Sequence, residues 1–174
     1  METAEAKPNA AGWRGWLFLP AIALLFLAFD QFTKHLVVSR MALYETRQPT
    51  PALAHLFSFT YVTNTGAAFG FFQNGSIVLV IVAVVVILAI ALYFRHVPGD
   101  EWLLKISLAM QLGGALGNLL DRVRLGYVVD FMDFHMWPVF NFADTFIVVG
   151  VGLLAYRLLL HPRAWSAGAE DIST

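Results

Sequence analysis

Residues 77–94 read IVLVIVAVVVILAIALYF, an uncharged apolar run of 18 residues from Ile77 to Phe94. As a helix it would rise about 27 Å, close to the roughly 30 Å of hydrocarbon in a bilayer. The run therefore reads as a membrane span. Composition agrees. Hydrophobic residues make up 59% of the 174-residue chain and charged residues 13%, against about 25% charged in a soluble domain. Mean hydropathy is +0.68. Too few polar side chains remain to cover a water-facing surface.

Three more runs follow from this one. The first starts near Trp16 and continues past Asp30 to about Val38. Another covers about Trp102 to Leu120, with Lys105 near one end, and the last about Phe142 to Leu160. The expected spans are thus 16–38, 77–94, 102–120 and 142–160, with Val97, Pro98, Gly99 and Asp100 punctuating the second and third. The first run follows Lys7 and Arg14 as a signal peptide would, but no Ala-x-Ala-like site closes it, and Asp30, Gln31, Thr33 and Lys34 interrupt it. It is read as a retained helix. Between spans one and two, Leu56 to Thr63 alternates partly and is rich in aromatic and β-branched residues, which predicts one or two strands at the membrane surface. The expected fold is an all-α membrane protein: one domain, four transmembrane helices, a small β-rich extracytoplasmic segment between helices 1 and 2, and flexible tails at 1–14 and 166–174.

Four spans put both termini on one face. Lys7, Arg14, Arg95, Lys105, Arg157 and Arg163 share that face, and Lys34, Arg40, Arg47, Arg122 and Arg124 the other. Lys34 and Arg122 stand beside acidic residues at span ends and are set aside as site residues. The remaining excess then places the termini in the cytoplasm. With that topology Asp30, Lys34, Asn64, Asn118, Asp121, Arg122, Asp130, Asn141 and Asp144 all fall at the outer face. Arg95, His96, Asp100 and Glu101, at the inner face, read as ordinary loop residues. Ionisable groups within spans usually face a bundle interior or a watery cavity and mark function. The plainer alternative for Asp30 is a buried ion pair with Lys34 at i,i+4. Gly113, Gly114 and Gly117, like Gly150 and Gly152, read as sites of close helix packing. Gly66, Ala67 and Ala68 suit a tight loop or an open backbone edge.

The chemistry narrows by elimination. No cysteine is present, which removes disulfides, thiolate metal sites, a Cys nucleophile and lipid modification of the chain itself. The five histidines show no H-E-x-x-H spacing, and no G-x-S-x-G elbow occurs. The net charge of −1 suggests no nucleic-acid partner. Carboxylates remain. Two of them close together share a proton: the ionised one can take a proton from water while the neutral one polarises a carbonyl.

Five motifs carry a resemblance. Asp30-Gln31-Phe32-Thr33-Lys34, Asn64-Thr65-Gly66-Ala67-Ala68-Phe69, Gly113 to Arg122, Val128-Val129-Asp130-Phe131 and Phe140-Asn141-Phe142-Ala143-Asp144 resemble, in this order, the bacterial lipoprotein signal peptidase (signal peptidase II) family over residues 16–160. The resemblance implies an intramembrane aspartic endopeptidase of the inner membrane that needs no metal or cofactor and is blocked by globomycin. Its substrates would be prolipoproteins, cut before the diacylglyceryl-modified cysteine to release the signal peptide. The implied catalytic pair is Asp130 and Asp144. Asp30, Lys34, Asn64, Gly66, Asn118, Asp121, Arg122 and Asn141 match supporting or substrate-binding positions. The interval between Asp130 and Asp144 is shorter than in many relatives. Asp121 is the rival for the second catalytic place, and neighbouring Arg122 argues instead for a structural ion pair.

Substrate and lipid are the expected partners, and a monomer suits a bundle that must admit a substrate helix. Trp137 and Tyr127 are candidate interfacial anchors, and Phe69, Phe71 and Phe72 candidate lipid contacts. A transporter or proton channel would also use intramembrane Asp and Lys, but the inner halves of spans two and four offer no polar path. A non-catalytic scaffold would need no aspartate pair.

Overall fold

The structure, a computed structural model, describes residues 12–66 and 75–160. The expected C-terminal tail, most of the N-terminal one, and the 67–74 stretch with Ala67, Ala68, Phe69, Phe71 and Phe72 lie outside the described residues. Among the described residues four helices are long and apolar enough to cross a membrane: α1 (Gly12–Arg40), α2 (Gly75–Phe94), α3 (Trp102–Leu125) and α4 (Phe142–Leu160). Strands β1 (Thr46–Arg47) and β2 (Ser58–Asn64) lie between α1 and α2, as expected, and β3 (Val128–Asp133) lies between α3 and α4. They form one antiparallel sheet in the order β1-β2-β3.

The third strand was not expected. Val128 to Met132 is buried throughout, so the segment shows no alternation of apolar and polar residues, the pattern by which a half-buried strand is read. α3 also runs past the expected end at Leu120. It stops at Leu125 because Gly126 adopts a left-handed conformation (φ 81°) and donates its N–H to the Arg122 carbonyl, 3.0 Å away. Arg122 and Arg124 in the last turn complement the helix dipole.

α3 is the axis of the bundle and packs against α1, α2 and α4. Small residues make this possible. A Cβ on Gly113 would lie 2.6 Å from Phe26 Cβ, and one on Gly150 would lie 2.7 Å from the Ser107 carbonyl. At Gly114 it would strike the Ala143 carbonyl, and at Gly117 the Asp30 carboxylate. Gly152, by contrast, faces open space and has no packing role. Leu19, Ala23, Ile90, Phe94, Leu104 and Leu108 close the core at one end. At the other end Tyr61, Val129, Phe131 and Met132 form an apolar layer between sheet and helices. Tyr127 packs against that layer, whereas Trp137 is 71% exposed and free to meet an interface.

The end of the bundle away from the sheet holds one departure from expectation. Glu101 is not an ordinary loop residue: its carboxylate is gripped by the Arg157 guanidinium through both Nε (2.7 Å) and Nη2. This bidentate pair ties the start of α3 to the end of α4.

Candidate active site

Asp130 sits mid-strand in β3, opposite Val62 of β2, with Asn64 opposite Val128. Asn64 is therefore a diagonal, same-face neighbour of Asp130, within side-chain reach. Its Nδ2 donates to Asp130 Oδ2 at 2.9 Å. The amide is oriented by its own loop, because the Gly66 N–H donates to Asn64 Oδ1 at 2.8 Å. Gly66 has φ 80°, a conformation that favours glycine. Asp130 is 1% exposed. Burial pushes its carboxyl up from the ordinary 3.8 to about 6; the Asn64 bond opposes this and the nearby Asp144 charge adds to it.

Asp144 lies in the first turn of α4, a favourable place for negative charge. It takes part in a reciprocal cap. Its N–H donates to Asn141 Oδ1 (3.0 Å), and its Oδ2 accepts from the Asn141 N–H (3.2 Å). This is the geometry of a capping box, with Asn and Asp in the two places. Asn141 is fully buried and uses its remaining donor to reach Asp130 Oδ1 at 2.6 Å. One side chain thus bonds to both aspartates. Asn118 completes the frame, donating to Asp144 Oδ1 (2.7 Å) and accepting from Asn141 Nδ2 (3.1 Å).

Beneath this frame lies a buried charged group. The Lys34 ammonium has three N–H donors and meets three acceptors: Asp30 Oδ2 at 2.9 Å, Asp121 Oδ2 at 2.9 Å and Asn118 Oδ1 at 3.0 Å. Removing one partner from such a buried set costs about 3–5 kcal/mol. The Asp30–Lys34 pair foreseen as the plainer alternative does exist, and it belongs to this larger group. The ion pair expected between Asp121 and Arg122 does not form. Consecutive helix residues point about 100° apart and cannot face each other, so Asp121 turns to Lys34. Arg122 instead reaches the Asn118 carbonyl with Nη1 at 3.4 Å and lies in the field of Asp144 and Asp130. Its Nε is buried without a partner among the described residues.

Nearly all the residues picked from sequence therefore fall in one hydrogen-bonded cluster. Gln31 was passed over as a site residue, although it stands in the same motif. Its Nε2 lies 2.9 Å from Asp121 Oδ1 and 3.2 Å from Asp30 Oδ2, and bridges both carboxylates. An amide beside an acid inside an apolar span was the available signal. Among the described residues no three His, Asp or Glu side chains converge to hold a metal ion.

The family described as Signal peptidase (SPase) II matches residues 22–160. The lipoprotein signal peptidase of Moorella thermoacetica is 48% identical over 139 residues, covering 80% of this chain and 91% of its own. That of Geobacter metallireducens is 42% identical over 167 residues, covering 92% and 98%. Two solved structures, each described as a bacterial membrane enzyme, are 30% identical and cover 81% of this chain. They cover 92% and 87% of their own chains, with TM-scores of 0.73 and 0.70. The shared fold and the length of these matches leave one assignment: the chain is a membrane-spanning member of the signal peptidase II family of peptidases.

Proposed function

We propose that this peptidase removes the signal peptide of bacterial prolipoproteins by aspartic catalysis, cutting just before the diacylglyceryl-modified cysteine. The observation that carries the reading is Asn141. It bonds to Asp130 through its side chain and to Asp144 through both side chain and backbone, which holds the two carboxylates around one small group. The ionised member takes a proton from water, and the neutral member polarises the scissile carbonyl. The attacking water needs no covalent intermediate. The pair titrates as a unit, and burial raises the Asp130 carboxyl to about 6.

On this reading the chain is one membrane domain of the cytoplasmic membrane, monomeric, with termini in the cytoplasm and the site at the outer headgroup level. The substrate explains that placement. Its signal helix lies in the bilayer and its lipid anchors the cysteine at the interface, so the bond to be cut lies at the same depth. Asp121 is set apart from the pair by its buried ion pair with Lys34 at 2.9 Å, whereas Asp130 and Asp144 are bonded by amides and backbone N–H groups.

The test uses detergent-purified protein and a diacylglyceryl-modified prolipoprotein peptide, with and without globomycin. Cleavage before the modified cysteine, blocked by globomycin, is expected. Asp130→Asn and Asp144→Asn should each abolish it with the protein still folded. Folded protein that leaves the peptide intact would sink the reading, and near-normal cleavage by either variant would remove that residue from the pair.

A further inference from the structure

The group around Lys34 has a symmetry that its charges alone do not require. Asp30 and Asp121 each accept from a backbone N–H on another element. Asp30 Oδ1 takes the Ala143 N–H at 2.9 Å, and Asp121 Oδ2 takes the Val129 N–H at 3.2 Å. Ala143 immediately precedes Asp144, and Val129 immediately precedes Asp130. Each carboxylate thus grips the chain one residue before one of the two site aspartates. Both carboxylates are held by the same ammonium. The third donor of Lys34 goes to Asn118, which reaches Asp144 directly and Asp130 through Asn141.

We propose that Lys34 is a positioning residue: through Asp30 and Asp121 it sets the separation of Asp130 and Asp144. Lys34 hydrogen-bonds to Asp30, Asp121 and Asn118 rather than to either site aspartate; its charge is felt at Asp130, and its hold on the backbone runs through Asp30 and Asp121. The strand carrying Asp130 and the helix carrying Asp144 are consecutive elements, β3 and α4. A backbone bridge between Met132 and Phe140 joins them on the far side. The clamp joins them on the near side, one residue from the reacting groups. α1 contributes neither aspartate, yet through Asp30, Gln31 and Lys34 it holds both. Gly117 belongs to the same device, because only a residue without a side chain leaves room for the Asp30 carboxylate.

The role in catalysis rests on the aspartic reading above, but the clamp itself can be tested without it. The first measurement is hydrogen–deuterium exchange at the Val129 and Ala143 amides in detergent-purified protein. Lys34→Met keeps the length and apolar stem and removes the ammonium. Both amides should then exchange about tenfold faster or more, while Asp130→Asn leaves them protected. The second measurement is cleavage. A misplacement near 1 Å costs about 100-fold in rate, so kcat should fall by about that factor with KM little changed. The alkaline limb of the pH profile should also move to higher pH, because the Lys34 charge lowers the Asp130 carboxyl. Asp30→Asn and Asp121→Asn should be non-additive, the double variant no worse than the poorer single one. If Lys34→Met does not fold, Gln31→Leu decides, because Gln31 bonds to both arms: both amides should exchange faster and kcat should fall. A folded Lys34→Met or Gln31→Leu protein with wild-type exchange at either amide overturns the clamp. So does wild-type kcat in folded Lys34→Met. Faster exchange in Lys34→Met, beside a wild type that cleaves nothing, keeps the clamp and removes the aspartic prolipoprotein-cleavage reading.

Discussion

α2 and α3 are both spans, and they could hardly differ more. α2 is the most apolar helix, yet only 11% of its span is buried in the protein. It rests on α3 and turns Ile77, Ile81, Val85, Leu88 and Leu92 outward. α3 is the least apolar, and 61% of its span is buried. It carries Gly113, Gly114, Gly117, Asn118 and Asp121, and it touches every other helix. In lipid the apolar tail is the solvent, so the helix that is easiest to recognise is the one with least to do inside the bundle. Small and polar residues weaken a hydropathy signal, and they are what helix association and a buried site need.

The contrast can be broken by substitution, beginning with the largest effect. Gly117→Leu forces a side chain into the Asp30 carboxylate. It should cost more than about 4 kcal/mol, the range of severe overpacking with loss of a buried ionic network, and be seen as loss of the folded fraction in detergent. Asn118→Leu should fold less stably and cleave at least about 100-fold more slowly, because it removes the donor to Asp144 and an acceptor from Lys34. Rates within threefold of wild type would deny α3 its place in the site.

A smaller effect concerns pH. Asp130 is raised to about 6, so its proton is held below that pH and lost above it. kcat/KM, which reports the free enzyme, should fall on the alkaline side of about pH 6. Asn64 donates to the ionised form and lowers the value; Asn64→Leu should therefore move this limb to higher pH, and a downward move would contradict the assignment. The same shift stabilises the fold at acid pH, a contribution that declines as pH rises from about 4 to about 6. Smallest of all, Val85→Leu on the outward face of α2 should change stability by less than about 0.5 kcal/mol and leave cleavage unaltered. A measurable loss would give α2 a function beyond spanning.

Much of the site was legible before the fold was known, because topology alone sent its residues to one face. What stayed hidden has a common cause. β3 showed no alternation, since both of its faces are covered. Asp121 was given the wrong partner, because Arg122 is its neighbour in sequence while Lys34 is its neighbour in space. Glu101 read as a loop residue until Arg157 arrived from the end of α4. Gln31 attracted no role, as its value lies in reaching two carboxylates on two helices.

The four spans, the gathering of acids and amides at one end of the bundle, and the family resemblance were set by the sequence by itself. Hydropathy is a local sum and motifs are local strings, so neither needs the fold. Tertiary structure alone decided which acid pairs with which base, and that Asn141 bonds to both aspartates. It alone placed the Lys34 group behind the pair. These are contacts between residues far apart in the chain, set by how closely the glycine face of α3 lets α1 and α4 approach.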